Sequence, residues 1–63
     1  MTIKRVQHAA ALRGIRFNGN KQFLNSIIGC GYYTYAPGGA LLQADTLNGI
    51  YKLIIKYPRI ESY

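Results

Sequence analysis

The sequence predicts one α+β domain over residues 1–63, in which short helices pack on a three-stranded antiparallel β-meander. Three observations lead to this fold class. A tyrosine-rich run typical of a strand is followed by Pro37-Gly38, the pair that a type II turn prefers. Asn48-Gly49 is a strong hairpin signal between two further apolar runs. Upstream of the meander, two stretches place apolar residues at helical spacing.

The first predicted element is a helix near the N-terminus. Ile3, Val6 and Ala10 follow helical spacing, and Gly14 would end the helix. A strand over residues 2–7 is the alternative interpretation of this segment. We favour the helix, because the segment includes three consecutive alanines, the residue type with the highest helix propensity.

Two further elements are predicted before the meander. Residues 14–17 suit a fourth, short strand at the edge of the sheet. Asn20 is a residue type that caps helices, and a short helix over residues 21–28 would follow it and end at Gly29. The apolar residues of this helix include pairs spaced by four, which would form a stripe that packs against the meander.

The C-terminal half of the chain is predicted to form most of the meander. A type I′ turn at Asn48-Gly49 would place Asp45 opposite Lys52, a favourable cross-strand pair of opposite charges. Side chains would then alternate between an inner face packed on the helices, where Tyr33 and Tyr35 join Leu42, and an outer face of mixed apolar and basic character. The predicted strands cover residues 32–36, 40–46 and 50–57.

A helix over residues 46–57 is the alternative for the last part of the chain. It would place Lys52 and Lys56 one turn apart, with Pro58 as its stop. Gly49 in the first turns and three β-branched isoleucines lower the helix propensity of this segment. The strand is therefore the preferred interpretation.

Composition excludes several classes of protein. Hydrophobic residues make up 49% and charged residues 16% of the chain, a balance unlike that of disordered segments. Cys30 is the single cysteine, so the disulfide-stapled secreted class is excluded. The uncharged stretch at 22–44 contains too many polar residues and glycines to span a bilayer. These features predict a cytoplasmic protein that does not bind membranes.

Neither catalysis nor cofactor binding is predicted. General acid–base or nucleophilic chemistry needs a titrating residue with an orienting neighbour, and His8 and Cys30 are the remaining candidates. We expect His8 to be a surface or half-buried structural residue, and Cys30, between two glycines, to be a buried structural thiol. One His and one Cys cannot supply the four ligands of a zinc site.

A helix followed by three strands resembles the order of elements in double-stranded-RNA-binding domains and in small RNA-targeting toxins of the same architecture. The resemblance is confined to topology. Such toxins carry a catalytic histidine on the strand after the glycine turn, whereas His8 lies far upstream of the predicted strands. The chain is therefore assigned to neither family.

The formal net charge of +6 is the strongest functional signal in the sequence. A basic surface attracts polyanions, and the outer face of the predicted meander would combine basic, aliphatic and aromatic side chains. We therefore predict a small non-enzymatic accessory protein that binds RNA or DNA. The residues expected to contact the nucleic acid or another partner are Arg13, Arg16, Tyr32, Lys52, Ile54, Lys56 and Arg59.

Two other functions fit the same surface. An inhibitor or modulator of a larger host protein, of the kind that phages and mobile elements encode, would dock this face on an acidic protein surface. A homo-oligomer would bury the apolar part of the face against a second copy of the chain. Nucleic-acid binding should weaken steeply with salt, whereas self-association should appear in light scattering without any partner.

Overall fold

The structure, a computed structural model, describes residues 1–60. It contains two helices and a three-stranded antiparallel sheet in the order β1-β2-β3, which confirms the α+β fold class. Within residues 1–60, neither helix has the length and apolar character that a bilayer-spanning segment needs. The elements in chain order are α1 (Ile3–Ala11), β1 (Gln22–Asn25), β2 (Gly29–Tyr35), β3 (Leu41–Ala44) and α2 (Leu47–Ile54).

The N-terminal helix is confirmed, with a cap that stabilises its first turn. The Thr2 side chain accepts a hydrogen bond from the Arg5 backbone N–H at 3.3 Å. Val6, Ala9 and Ala10 are buried, so one side of α1 packs on the rest of the molecule. The alternative of a strand over residues 2–7 is therefore wrong.

Strand β1 and its turn occupy the segment predicted to be a helix over residues 21–28. The Asn25 side chain accepts hydrogen bonds from the backbone N–H groups of Ile27 and Ile28, at 2.9 and 2.7 Å. This local bonding favours a turn over a helix, because it satisfies the same backbone donors with a side chain. The prediction was wrong because a helix of about two turns gains little on its own, whereas the hairpin joins an existing sheet.

The loop between β2 and β3 contains one residue more than the two central residues of the predicted type II turn. Gly39 N–H donates to the Ala36 carbonyl at 2.9 Å, which confirms a four-residue turn with Pro37-Gly38 at its centre. Ala36 then pairs with Ala40, whose carbonyl accepts from the Ala36 N–H at 2.7 Å. Gly39, at φ +89°, is the additional loop residue and adopts a conformation that side chains disfavour.

Because of this extra loop residue, the side chains of β2 lie on the faces of the sheet opposite to those predicted. Thr34 pairs with Leu42, and Tyr32 pairs with Ala44, so these residues lie on the inner face against the helices. A loop of two residues would have paired residue 33 with Leu42, as the predicted arrangement required. A shift of one residue in the pairing of two strands moves every side chain of the shifted strand to the opposite face of the sheet. Tyr33 therefore lies on the outer face.

The last element is helix α2 and not the predicted strand over 50–57. The Thr46 side chain accepts from the Gly49 N–H at 3.0 Å and caps the helix, so Asn48-Gly49 lies in its first turn. Ile50 and Ile54 are fully buried on one side of the helix. No hairpin forms here, and the predicted cross-strand pair between Asp45 and Lys52 is absent.

Gly49 has a packing role in this helix. A Cβ at this position would lie 2.9 Å from the Ala44 Cβ, closer than real Cβ atoms approach each other. The glycine therefore lets α2 begin directly after β3 and lie close to its end. The hairpin prediction was wrong because two features stabilise a helix here, the cap at Thr46 and the apolar residues spaced by three and four. Together they outweigh the low helix propensity of one glycine.

Residues 14–17 do not form the predicted edge strand. They run beside β2 without a backbone hydrogen bond to it, and the Thr34 hydroxyl donates to the Arg16 carbonyl. Ile15 and Phe17 from this segment are buried in the single core between the helices and the inner face of the sheet. The fully or nearly buried residues of this core are Val6, Ala10, Ile15, Phe17, Ala36, Leu42, Ile50 and Ile54.

Candidate nucleic-acid interface

A groove of about 290 Å³ lies between α1, α2 and the chain that follows α2. We call it the basic groove. The side chains that give it its charge and its aromatic wall are Arg5, His8, Arg13, Tyr51 and Arg59.

Helix α1 supplies the first wall of the basic groove. Arg5 and His8 are exposed and three residues apart, so they lie on the same side of the helix. The buried side of α1 carries Val6 and Ala10, so it faces the core and leaves the two polar residues at the surface. Helical periodicity therefore positions both groups.

The segment after α2 brings the last arginine to the groove. Ile60 N–H donates to the Leu12 carbonyl at 2.7 Å, which ties the C-terminal segment to the end of α1. Arg59, the preceding residue, is exposed and lines the groove from this side. A contact between residues 48 positions apart thus places an arginine beside Arg5 and His8.

Arg13 is the most firmly held of the three arginines. Its Nε donates to the Tyr57 carbonyl at 2.9 Å, and one of its terminal nitrogens donates to the Ala9 carbonyl at 2.8 Å. The side chain is half-buried and connects the end of α1 to the segment after α2. Its charge is thereby fixed at one end of the basic groove, with part of the guanidinium fork still available for a ligand.

No carboxylate lines the basic groove within the described part of the chain. Asp45, the one acidic residue among residues 1–60, lies just before α2 and is exposed. Glu61, the second acid of the sequence, lies outside the described residues. Three guanidinium groups around one groove create a positive potential that attracts anions.

Two of the predicted site residues extend the positive charge along α2. Lys52 lies in α2 and Lys56 in the turn after it, and both side chains are exposed. Ile55, the C-cap of α2, donates its N–H to the Tyr51 carbonyl at 3.0 Å, so Lys56 lies just past the end of the helix. The two lysines do not line the basic groove itself.

Three other predicted site residues lie elsewhere. Tyr32 is half-buried on the inner face of the sheet, with its ring centroid 5.9 Å from that of Phe17, so it packs with the core and offers no stacking platform. Ile54 is fully buried in α2 and is not on an exposed face as predicted. Arg16 is exposed but lines a different groove beside β2.

Arg5, His8 and Tyr51 were not predicted as members of one site. The spacing of Arg5 and His8 on a predicted helix was a usable signal for two of them. Tyr51 was assigned to a strand, and its position became visible only with α2. The contact of Ile60 with Leu12, which brings in Arg59, has no signature in the sequence.

The two candidate reactive residues lie on different elements and line no common groove within residues 1–60. His8 is exposed on α1, and Cys30 is an exposed free thiol on β2 opposite Phe23. The expectation that Cys30 is buried is therefore wrong. Within residues 1–60, no three His, Cys, Asp or Glu side chains come close enough together to hold a metal ion.

Comparisons with known proteins add no assignment. The sequence matches no protein-family description, no curated protein and no solved structure.

Proposed function

We propose that the chain is a small, non-enzymatic accessory protein of the cytoplasm that binds nucleic acid through the basic groove. One observation carries the proposal: Arg5, Arg13 and Arg59, far apart in sequence, converge on one groove that no described carboxylate lines. Lys52 in α2 and Lys56 in the turn after it add exposed positive charge outside the groove, and the chain as a whole carries +6. This concentration of positive charge suits a polyanion.

Arginine is well matched to the phosphate groups of such a ligand. The planar guanidinium donates two parallel hydrogen bonds to phosphate oxygens, and it stays charged at any physiological pH. Arg13 is already fixed by its two bonds to backbone carbonyls, so it loses little conformational entropy on binding. Arg5 and Arg59 are exposed and can adjust to the spacing of the phosphates.

The ligand is expected to be contacted mainly through its backbone. Among residues 1–60, Tyr51 is the single aromatic side chain lining the basic groove and is half-buried, while Tyr32 packs with the core. Stacking on bases requires exposed rings, and reading base edges requires an element that enters a groove of the duplex. We therefore expect little sequence preference and a strong dependence on salt.

A salt titration tests the proposal. Binding to mixed-sequence duplex RNA, duplex DNA and single strands is measured as the salt concentration rises. The double variant Arg5→Gln with Arg59→Gln should flatten the log–log slope on a duplex by about 1.8 units, since each neutralised phosphate contributes about 0.9. Arg13 is left intact in this variant because its side chain also holds the fold together.

The matched control removes the same charge from another part of the surface. The double variant Arg16→Gln with Lys21→Gln changes two exposed cations outside the basic groove. It should keep a slope closer to that of the wild type. If both double variants flatten the slope equally, only the net charge matters. If the wild type binds none of the nucleic acids at low salt, the proposed function is wrong.

The two other predicted functions remain predictions. Inhibition of a larger protein would require an acidic surface that pairs with the same cations, and it would be independent of nucleic acid. Self-association would raise the molar mass in light scattering as the protein concentration rises.

A further inference from the structure

The edge of β2 that faces away from β3 is only partly covered. Strand β1 pairs with Gly29, Cys30 and Gly31 at the beginning of β2. From Tyr32 to Tyr35, β2 pairs with β3 alone, and no strand lies on its other side within residues 1–60. At a rise of about 3.3 Å per residue, this uncovered edge is about 10 Å long.

The backbone groups of Tyr33 and Tyr35 point toward this uncovered edge. The Ala36 N–H donates to Ala40 on the β3 side, and peptide groups alternate in direction along a strand. The groups of Thr34 therefore point toward β3, and those of its two neighbours point away from it. No backbone hydrogen bond connects residues 15–21 to either tyrosine in the described chain. These donors and acceptors can pair with an additional strand.

A groove of about 510 Å³ lies along the same edge, and we call it the edge groove. Tyr33 and Tyr35 form its outer wall, with their rings edge to face at a centroid distance of 5.9 Å. Ile15 and Phe17 line its inner side. The Thr34 hydroxyl holds the Arg16 carbonyl below the edge, so the segment forms a floor and leaves the strand edge accessible.

We propose that the edge groove binds an extended peptide segment of a partner protein, which adds to β2 as a strand. Main-chain hydrogen bonds to Tyr33 and Tyr35 would supply affinity, and alternate side chains of the peptide would contact the apolar floor and the tyrosine wall. The segment carries an acidic side chain, because Arg16 is the one charged residue that lines the groove in the described part of the chain.

Charge also favours a partner protein over a second copy of the chain as the ligand of the edge groove. A copy would bring another +6 and, within its described residues, a single acid, Asp45, which follows the end of β3 and lines neither groove. An acidic peptide meets Arg16 without this repulsion. The inference goes beyond nucleic-acid binding, since the edge groove and the basic groove share no lining residue. On α1, Gln7 and Ala11 line the edge groove, whereas Arg5 and His8 line the basic groove.

Amide hydrogen exchange tests the first step without any ligand. In the free protein, the amides of Tyr33 and Tyr35 should exchange faster than that of Thr34, whose N–H points toward β3. Equal protection of all three would mean that the edge is already paired and would overturn the proposal. Protection of the two tyrosine amides that grows with protein concentration would assign the edge to a second copy instead.

The second step uses peptides selected from a displayed library of random nine-residue sequences. The enriched peptides should alternate apolar residues and contain an acid. The tightest of them, added as a synthetic peptide, should slow exchange at Tyr33 and Tyr35 by about tenfold or more. A library that yields no binder, or a binder that leaves these two amides unprotected, contradicts the proposal.

Charge variants complete the test. Arg16 is exposed, so Arg16→Glu should fold, as circular dichroism can check, and weaken binding of the selected peptide by about tenfold or more. Arg16→Lys keeps the charge and should stay within about threefold of the wild type. Arg59→Glu, the matched reversal in the basic groove, should leave peptide binding unchanged. Loss of nucleic-acid binding in Arg59→Glu with intact peptide binding would separate the two proposals.

Discussion

Arg13 joins two distant parts of the chain, so its substitution tests how much this junction contributes to stability. Its side chain hydrogen-bonds the carbonyls of Ala9 and Tyr57. Arg13→Lys keeps the positive charge but cannot hold both carbonyls in the same geometry. We expect the free energy of unfolding to fall by about 1–2 kcal/mol, measured by urea denaturation. Arg59→Lys at an exposed position is the control and should change little.

Cys30 offers a second test at the scale of one residue. Its thiol is exposed on β2, so a thiol reagent should label the native protein about as fast as the unfolded protein. Cys30→Ser should fold with unchanged stability, because the side chain is outside the core. Labelling that becomes rapid only in denaturant would contradict the position of Cys30 in the structure.

Helix α2 and the rejected hairpin make opposite predictions for Asn48. This side chain is exposed in the first turn of the helix. Asn48→Ala should raise the free energy of unfolding by about 0.5 kcal/mol, since alanine has the higher helix propensity. In a type I′ turn the same change would lower stability, because asparagine tolerates positive φ and alanine does not.

The cap of α2 provides the companion measurement. Thr46→Ala removes the acceptor of the Gly49 N–H and should lower the free energy of unfolding by about 1 kcal/mol. Thr46→Ser retains an acceptor and should stay close to the wild type. If the alanine variant and the serine variant melt at the same temperature, the cap contributes nothing to α2.

The secondary-structure elements differ in how well the sequence predicted them. Helix α1 was predictable because the spacing of its apolar residues, its alanine content and the glycine after it agree. The segment at 46–57 carried two signals, a turn dipeptide and a helical repeat of apolar residues, and tertiary packing favoured the second. The faces of the sheet were assigned wrongly because a single loop glycine, Gly39, changes the register, and nothing in the local pattern fixes loop length.

The candidate site was less predictable than the fold. The charge composition predicted a polyanionic ligand, and two of the residues predicted to contact it, Arg13 and Arg59, line the basic groove. They come together through long-range contacts between the segment after α2 and the end of α1, which short-range sequence patterns do not encode. Ile54 was predicted to be exposed because its segment was predicted to be a strand. In helix α2 the same side chain is fully buried.

At the scale of the whole molecule, binding and stability are linked through the basic groove. The groove exists only when α1 and the segment after α2 are both in place, so a ligand that occupies it binds only the folded chain. Duplex nucleic acid at low salt should therefore raise the melting temperature, and added salt should abolish the increase. The variant Arg5→Gln with Arg59→Gln should lose most of this stabilisation. An increase that persists at high salt would indicate contacts other than phosphate neutralisation.

The hydrogen bond between Ile60 and Leu12 has a consequence for how this protein is handled in the laboratory. It holds the chain near its C-terminal end against α1, beside Arg59. A bulky fusion domain or an immobilising surface attached directly after this segment would crowd the groove and pull on the bond. Met1 is exposed and precedes the cap of α1, so an affinity tag on a flexible linker belongs at that end. Binding measured with the opposite orientation would underestimate the affinity of the free chain.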